Sequence, residues 1–265
     1  MRTFIKRYLR KRRRIKAKKV FIQKTPFFKD YERIYHVHIR KSAGTSINSA
    51  FWGLAGYSLE SVKREPIIVT NDYVFVRNHK ELIEEGFYFY GNSHIPFWKL
   101  DIPEKTFVFC MLRDPYKRLV SLYKYLHHVA SLNPDTAEKE EPSYKALQYQ
   151  LAWLGDNFSD FLDYLPKNHL QRQLYTFSEK MDASEALENV NKLDRVYFQE
   201  DFEAAIADLS KTFHLKLTIN RERSFNSVPI AIDENEKQRA LQLLEKEYQF
   251  YNRVLKSVRS KTHES

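Results

Sequence analysis

At 265 residues the chain is long enough to bury a sizeable core, most simply as one α/β domain. Residues 1–19 hold eleven Lys or Arg and no acid, which leaves 33 bases against 34 acids elsewhere; the net charge of +10 belongs to one end and not to the body. No apolar run approaches the roughly 18 residues of a membrane-crossing helix, and the single cysteine, Cys110, excludes an intramolecular disulfide.

The basic segment carries Phe4, Ile5, Tyr8, Leu9 and Ile15 near helical spacing. Such a segment either lies on an anionic membrane as an amphipathic helix or extends as a solvated arm. Residues 1–28 are therefore read as a basic arm, flexible or membrane-associating, and 29–265 as a single domain. No signal-peptide core appears, so the expected location is cytoplasmic, with peripheral contact at the inner face of the membrane through residues 1–19. No nucleic acid is expected as partner.

Strands are expected at 34–39, 67–70, 73–76, 87–91, 106–112 and 195–199. Helices are expected at 45–54, 78–85, 115–130, 144–154, 158–164, 168–176, 183–192, 201–213 and 233–257. This alternation predicts a three-layer α/β fold, a mostly parallel central sheet flanked by helices. The first strand runs into Arg40-Lys-Ser-Ala-Gly-Thr-Ser46 and a helix follows. A strand that breaks at small residues and restarts as a helix aims backbone N–H groups at one point, where the helix dipole adds positive charge. Lys41 supplies a full charge there, and Thr45 and Ser46 supply hydroxyls. The order differs from a Walker A loop, because Lys41 precedes Gly44.

Thr106–Leu112 is a continuous apolar run, as in a strand buried on both faces. It ends in Arg113-Asp-Pro115, with Asp114 as N-cap and Pro115 in the first turn of a helix. Arg113 and Ser121 are candidates for a second anion site, because α/β sheets bind ligands at strand carboxyl ends. Arg118 and Lys124 add charge nearby or are simply solvated. Ser131–Pro142 reads as a mobile polar loop and the acidic run Glu138–Glu141 as solvated. His36 and His38 alternate on the first strand and read as core positions, not as a metal pair. In the last helix Leu241, Leu244, Tyr248, Tyr251 and Leu255 form the expected core-facing stripe.

His38-Ile-Arg-Lys-Ser-Ala-Gly-Thr-Ser46 resembles the 5′-phosphosulfate loop of carbohydrate sulfotransferases that use 3′-phosphoadenylyl sulfate (PAPS), the heparan sulfate 2-O-sulfotransferase-like family 2 enzymes. Leu112-Arg-Asp-Pro-Tyr-Lys-Arg-Leu-Val-Ser-Leu-Tyr123 is similar to their 3′-phosphate motif. Arg40, Ser42 and Ala43 depart from the usual Pro, Thr and Gly. The resemblance spans roughly residues 34–255. It implies a P-loop-NTPase-like sulfotransferase fold and PAPS as co-substrate without a metal. Lys41, Ser42, Ala43, Gly44, Thr45, Ser46, Arg113 and Ser121 would bind the donor. Tyr90–Phe97 resembles the family segment that carries the catalytic base, which points to His94, with Lys41 stabilising the leaving group. Asn168–Leu174 and Arg223–Pro229 echo later family segments, and His169 and Arg172 are candidates to bind a carbohydrate or glycolipid acceptor. A structural role for His94 stays open, as do two other functions, a nucleotide kinase and a nucleic-acid-binding protein acting through the basic arm.

Overall fold

The computed structural model describes residues 2–24, 30–58, 62, 65–141, 143–219 and 230–263; the Arg223–Pro229 segment lies outside them. The chain divides into two compact units, Met1–Met111 with Asn191–Glu222, and Leu112–Val190 with Arg223–Ser265. The strands are β1 (Arg33–Val37), β2 (Ile67–Val69), β3 (Val74–Arg77), β4 (Tyr90–Ser93), β5 (Thr106–Leu112) and β6 (Arg195–Phe198). Helices α1 (Arg2–Lys24), α2 (Gly44–Gly53) and α3 (Lys80–Glu85) belong to the first half of the chain. They are followed by α4 (Pro115–Ser131), α5 (Ala137–Glu140), α6 (Tyr144–Leu151), α7 (Phe158–Tyr164) and α8 (Lys167–Leu170). The remainder are α9 (Arg172–Phe177), α10 (Ala183–Val190), α11 (Phe202–Phe213), α12 (Glu234–Leu243) and α13 (Glu245–His263).

The six strands form one sheet in the order β2-β3-β4-β1-β5-β6. Strand β1 runs parallel to both β4 and β5, β3 is parallel to β4, and β2 is antiparallel to β3. Every residue of β1 and β5 is buried, which accounts for the unbroken apolar run of β5 from Phe107 to Leu112; β1 also buries Arg33 and His36. On one face, Ile34, Phe75, Phe89, Phe107, Phe109 and Met111 pack with Ile47, Phe51 and Trp52 of α2 and Ile206, Leu209 and Phe213 of α11. The basic segment is helical through Lys24, and its Ala17 and Phe21 are buried.

In the second unit α4 is the spine. Asp114 caps it, accepting from the Lys117 N–H at 2.8 Å, and Pro115 opens it, as read from sequence. Its Leu119, Leu122, Tyr123, Leu126 and Val129 pack against Leu147, Phe158, Phe161, Leu170 and Leu244. Arg118, expected beside the anion site or in solvent, is instead buried in this core. Its Nε donates to Glu247 at 3.2 Å, and its Nη2 donates to the carbonyls of His169 and Leu170.

Other expectations are corrected at the helix ends. The expected helix 168–176 is two, meeting at Gln171, and the expected helix 233–257 is two, meeting at Leu244. The buried stripe across that second junction is Ala240, Leu244, Glu247, Phe250, Tyr251 and Val254. Leu241, Tyr248 and Leu255 are only half-buried. The segment read as a mobile loop contains α5, with Ala137 buried. Glu141, read as solvated, is buried too; its carboxylate accepts from the Tyr125 hydroxyl at 3.0 Å and the Ser143 N–H at 2.9 Å.

Burial pushes the Glu247 carboxyl upward in pKa, and the Arg118 charge pulls it back. Removing one partner of a buried ion pair leaves the other uncompensated, so Arg118→Ala should cost about 3–5 kcal/mol in urea unfolding. A loss within about 0.5 kcal/mol, the range of ordinary surface substitutions, would show that the pair contributes little to the unit.

Candidate functional site

Residues 38–46 and 94 meet because of strand register. Parallel pairing sets Val37 opposite Ser93, so the residues that follow, His38 and His94, emerge side by side at the carboxyl edge of the sheet. The His38 N–H donates to the Ser93 carbonyl at 3.0 Å, and the two imidazole centroids are 4.1 Å apart. His94 is held from two directions. Its backbone N–H donates to Asn78 Oδ1 at 2.9 Å, and its Nδ1 lies 2.7 Å from the His38 carbonyl oxygen. A carbonyl only accepts, so Nδ1 carries the hydrogen and Nε2 is the proton-accepting atom of the neutral ring.

After His38 the chain turns through Arg40–Ala43 into α2. Lys41 and Ala43 both take left-handed backbone conformations, φ 66° and φ 55°. A non-glycine residue held there costs on the order of 1–3 kcal/mol. Ala43 sits at the N-cap of α2, where no side chain caps the helix. Ser42 is 1% exposed, and its Oγ has no hydrogen-bond partner. A buried hydroxyl without a partner costs free energy, and here it stands at an uncapped helix start with Lys41 one residue away. Strain, orphan hydroxyl and helix dipole together make a cradle suited to an anionic group such as a phosphate or sulfate. Gly44 is required by packing, since a Cβ there would lie 2.0 Å from the His38 ring. Thr45 and Ser46 are half-buried on the first turn.

Beneath this loop lies a network that sequence reading missed. Asn48 of α2, 4% exposed, accepts from the Tyr90 hydroxyl at 2.7 Å. Its Nδ2 is 3.3 Å from both His38 Nδ1 and Asn92 Oδ1. His36 Nδ1 is shared between Tyr90 and Asn48, and its ring stacks on Phe109 at 4.8 Å. His36 and His38 are thus parts of a packed ladder. Burial pushes the His36 pKa down to about 3, and burial followed by repulsion from His94 pushes His38 well down also. The only signal in sequence was a polar residue on the core-facing side of α2.

The second unit carries Arg113 and Ser121. Arg113 directly follows β5, and its backbone is gripped by one side chain, Gln173. The Gln173 Oε1 accepts from the Arg113 N–H at 2.8 Å, and its Nε2 donates to the Arg113 carbonyl at 2.9 Å and to Glu247 at 3.0 Å. Gln173 is fully buried, so it locks Arg113 to the Arg118–Glu247 pair. Sequence reading passed over it. Ser121 is half-buried on α4. Arg172 is buried with its guanidinium 5.7 Å from the Tyr175 ring, and the His169 ring lies 4.6 Å from that of Trp153. No group of three or more metal-ligating side chains occurs among the described residues.

The chain belongs to the sulfotransferase family: the family model matches residues 24–252. No curated protein matches the chain.

The buried imidazoles make acid stability a test of this network. Below the ordinary histidine value near 6.5 the unfolded chain takes up protons that the buried rings refuse. Their contribution is therefore intact above about pH 6.5 and is lost as pH falls, for His36 toward about 3, at up to roughly 1.4 kcal/mol per pH unit for each ring. Urea unfolding between about pH 6.5 and 5 should show that fall, and His36→Gln should reduce its slope. An unchanged slope would mean that His36 already titrates normally in the folded chain.

Proposed function

We propose that this sulfotransferase moves a sulfuryl group from PAPS to a hydroxyl of a carbohydrate, in a polysaccharide, oligosaccharide or glycolipid. The observation that supports it most is the strained loop with the orphan Ser42 hydroxyl, one ring away from a histidine whose Nε2 is set to accept a proton. In this reading Lys41, Ser42, Thr45, Ser46 and the N–H groups from Ala43 onward hold the 5′-phosphosulfate. Arg113 and Ser121 hold the 3′-phosphate. Strands β1 and β5 are parallel neighbours with Val37 opposite Cys110.

The acceptor oxygen attacks sulfur as its proton passes to His94 Nε2. The new S–O bond forms while the bond from sulfur to the 5′-phosphate oxygen breaks, and Lys41 stabilises the charge that develops on that oxygen. Positioning and charge stabilisation suffice for such a transfer, as in phosphoryl transfer. His169 and Arg172 remain candidates for the acceptor side. Transfer of labelled sulfate from PAPS to a panel of glycans and glycolipids tests the whole reading, and failure on every member would refute the acceptor class.

Arg113→Ala should weaken binding of 3′-phosphoadenosine 5′-phosphate (PAP) roughly tenfold to a hundredfold, the worth of one charge-assisted bond to phosphate. Adenosine 5′-phosphosulfate, which lacks the 3′-phosphate, should bind the variant as it binds the wild type. Equal losses for both nucleotides would remove Arg113 from the 3′-phosphate site.

His94→Ala should leave PAP affinity unchanged while lowering turnover by about 10²–10⁴-fold. Lys41→Ala should lower both, because its charge meets the donor before and during transfer. A well-folded His94→Ala enzyme with near-normal turnover would make this histidine structural.

A further inference from the structure

The most cationic element of the chain is also its least self-sufficient. Helix α1 turns one face toward the sheet through Ala17 and Phe21, which are buried, with Phe21 edge-on to Phe87 at 6.0 Å and Arg33 over its ring at 5.4 Å. Two arginines on the flanks of that face are neutralised. Arg13 pairs with Glu65 at 2.5 Å, and Arg14 pairs with Glu85 and, at 3.8 Å, with Glu81. Docking and ion pairing fix the rotation of the helix, and with it the side turned to solvent.

That solvent side is apolar and cationic together. Ile15 is 62% exposed and Ile22 is 59% exposed, and they stand seven residues apart, on one stripe of the helix. Lys11, Arg12 and Lys19 flank them, all exposed, while the Lys18 ammonium lies 4.9 Å from the Phe87 ring. In sequence Phe4 and Tyr8 continue the same spacing toward the start of the helix. No acid occurs before Asp30.

We propose that the Ile15–Ile22 face of α1 docks the enzyme on an anionic lipid bilayer, the helix lying in the interface while its Ala17–Phe21 face stays on the sheet. The chemistry favours lipid over other occupants. A second copy would bring two stripes of like charge together, and a nucleic acid would engage the bases but leave two large aliphatic side chains in water. A bilayer takes both, its headgroups meeting the lysines and its acyl boundary the isoleucines. Cation attraction and apolar insertion are each too weak alone and suffice in combination.

The test is co-sedimentation of the full chain with vesicles of phosphatidylcholine, alone or mixed with phosphatidylglycerol. The wild type should bind the mixed vesicles, bind the neutral ones poorly, and release as salt rises. Ile15→Ser with Ile22→Ser leaves every charge in place, yet should weaken binding to mixed vesicles by roughly tenfold or more. Thermal stability and sulfate transfer to a soluble acceptor should not change. Three results would overturn the proposal: no binding to anionic vesicles, equal binding by the double variant, or a wild-type dimer that the double variant abolishes. Preferential binding of RNA that is indifferent to the double substitution would reassign the face to nucleic acid.

Discussion

The pairing of β1 with β4 is the constraint on which the site depends. Because Val37 is locked opposite Ser93, the loop that opens α2 and the segment that carries His94 leave the sheet at one place. A slip of one residue would flip the side chains of β1 to the opposite face and carry His38 away from His94. The register is protected by complete burial of β1 on both faces and by the Asn48 network, which ties α2 to Tyr90 and Asn92 of β4 and to both strand histidines. The loop at Arg40–Ala43 is thus strained locally and held from below.

The two units hold their candidate residues by different means. In the first, two left-handed residues and an uncapped helix present N–H groups and a buried hydroxyl. In the second, a buried glutamine clamps both backbone groups of Arg113 and passes that restraint to an ion pair inside the helical core.

What was legible in the sequence follows from locality. All six strands lie where their apolar runs predicted, within a few residues, and α4 has the cap and proline read from Asp114-Pro115. The motifs at Lys41–Ser46 and Arg113 were legible because a turn and a strand end are encoded by neighbouring residues. Long-range partners were not. Gln173 reaches Arg113 across 60 residues and Arg118 reaches Glu247 across 129, and nothing in the local pattern marks either. Arg118 was misread for that reason: an isolated arginine on a helix looks solvated until its carboxylate is found. Glu141 was misread in the same way beside its charged neighbours. The breaks at Gln171 and Leu244 escaped notice because both residues fit a continuous helix.

The central proposal is that this chain binds one bisphosphorylated nucleotide without help from a metal. Titration calorimetry of the full chain with PAP in the presence of a chelator tests this most directly. The account predicts one PAP per chain with affinity unaffected by magnesium, and weak or no binding of ATP. Binding of ATP in preference to PAP, or PAP binding that appears only when magnesium is added, would contradict it.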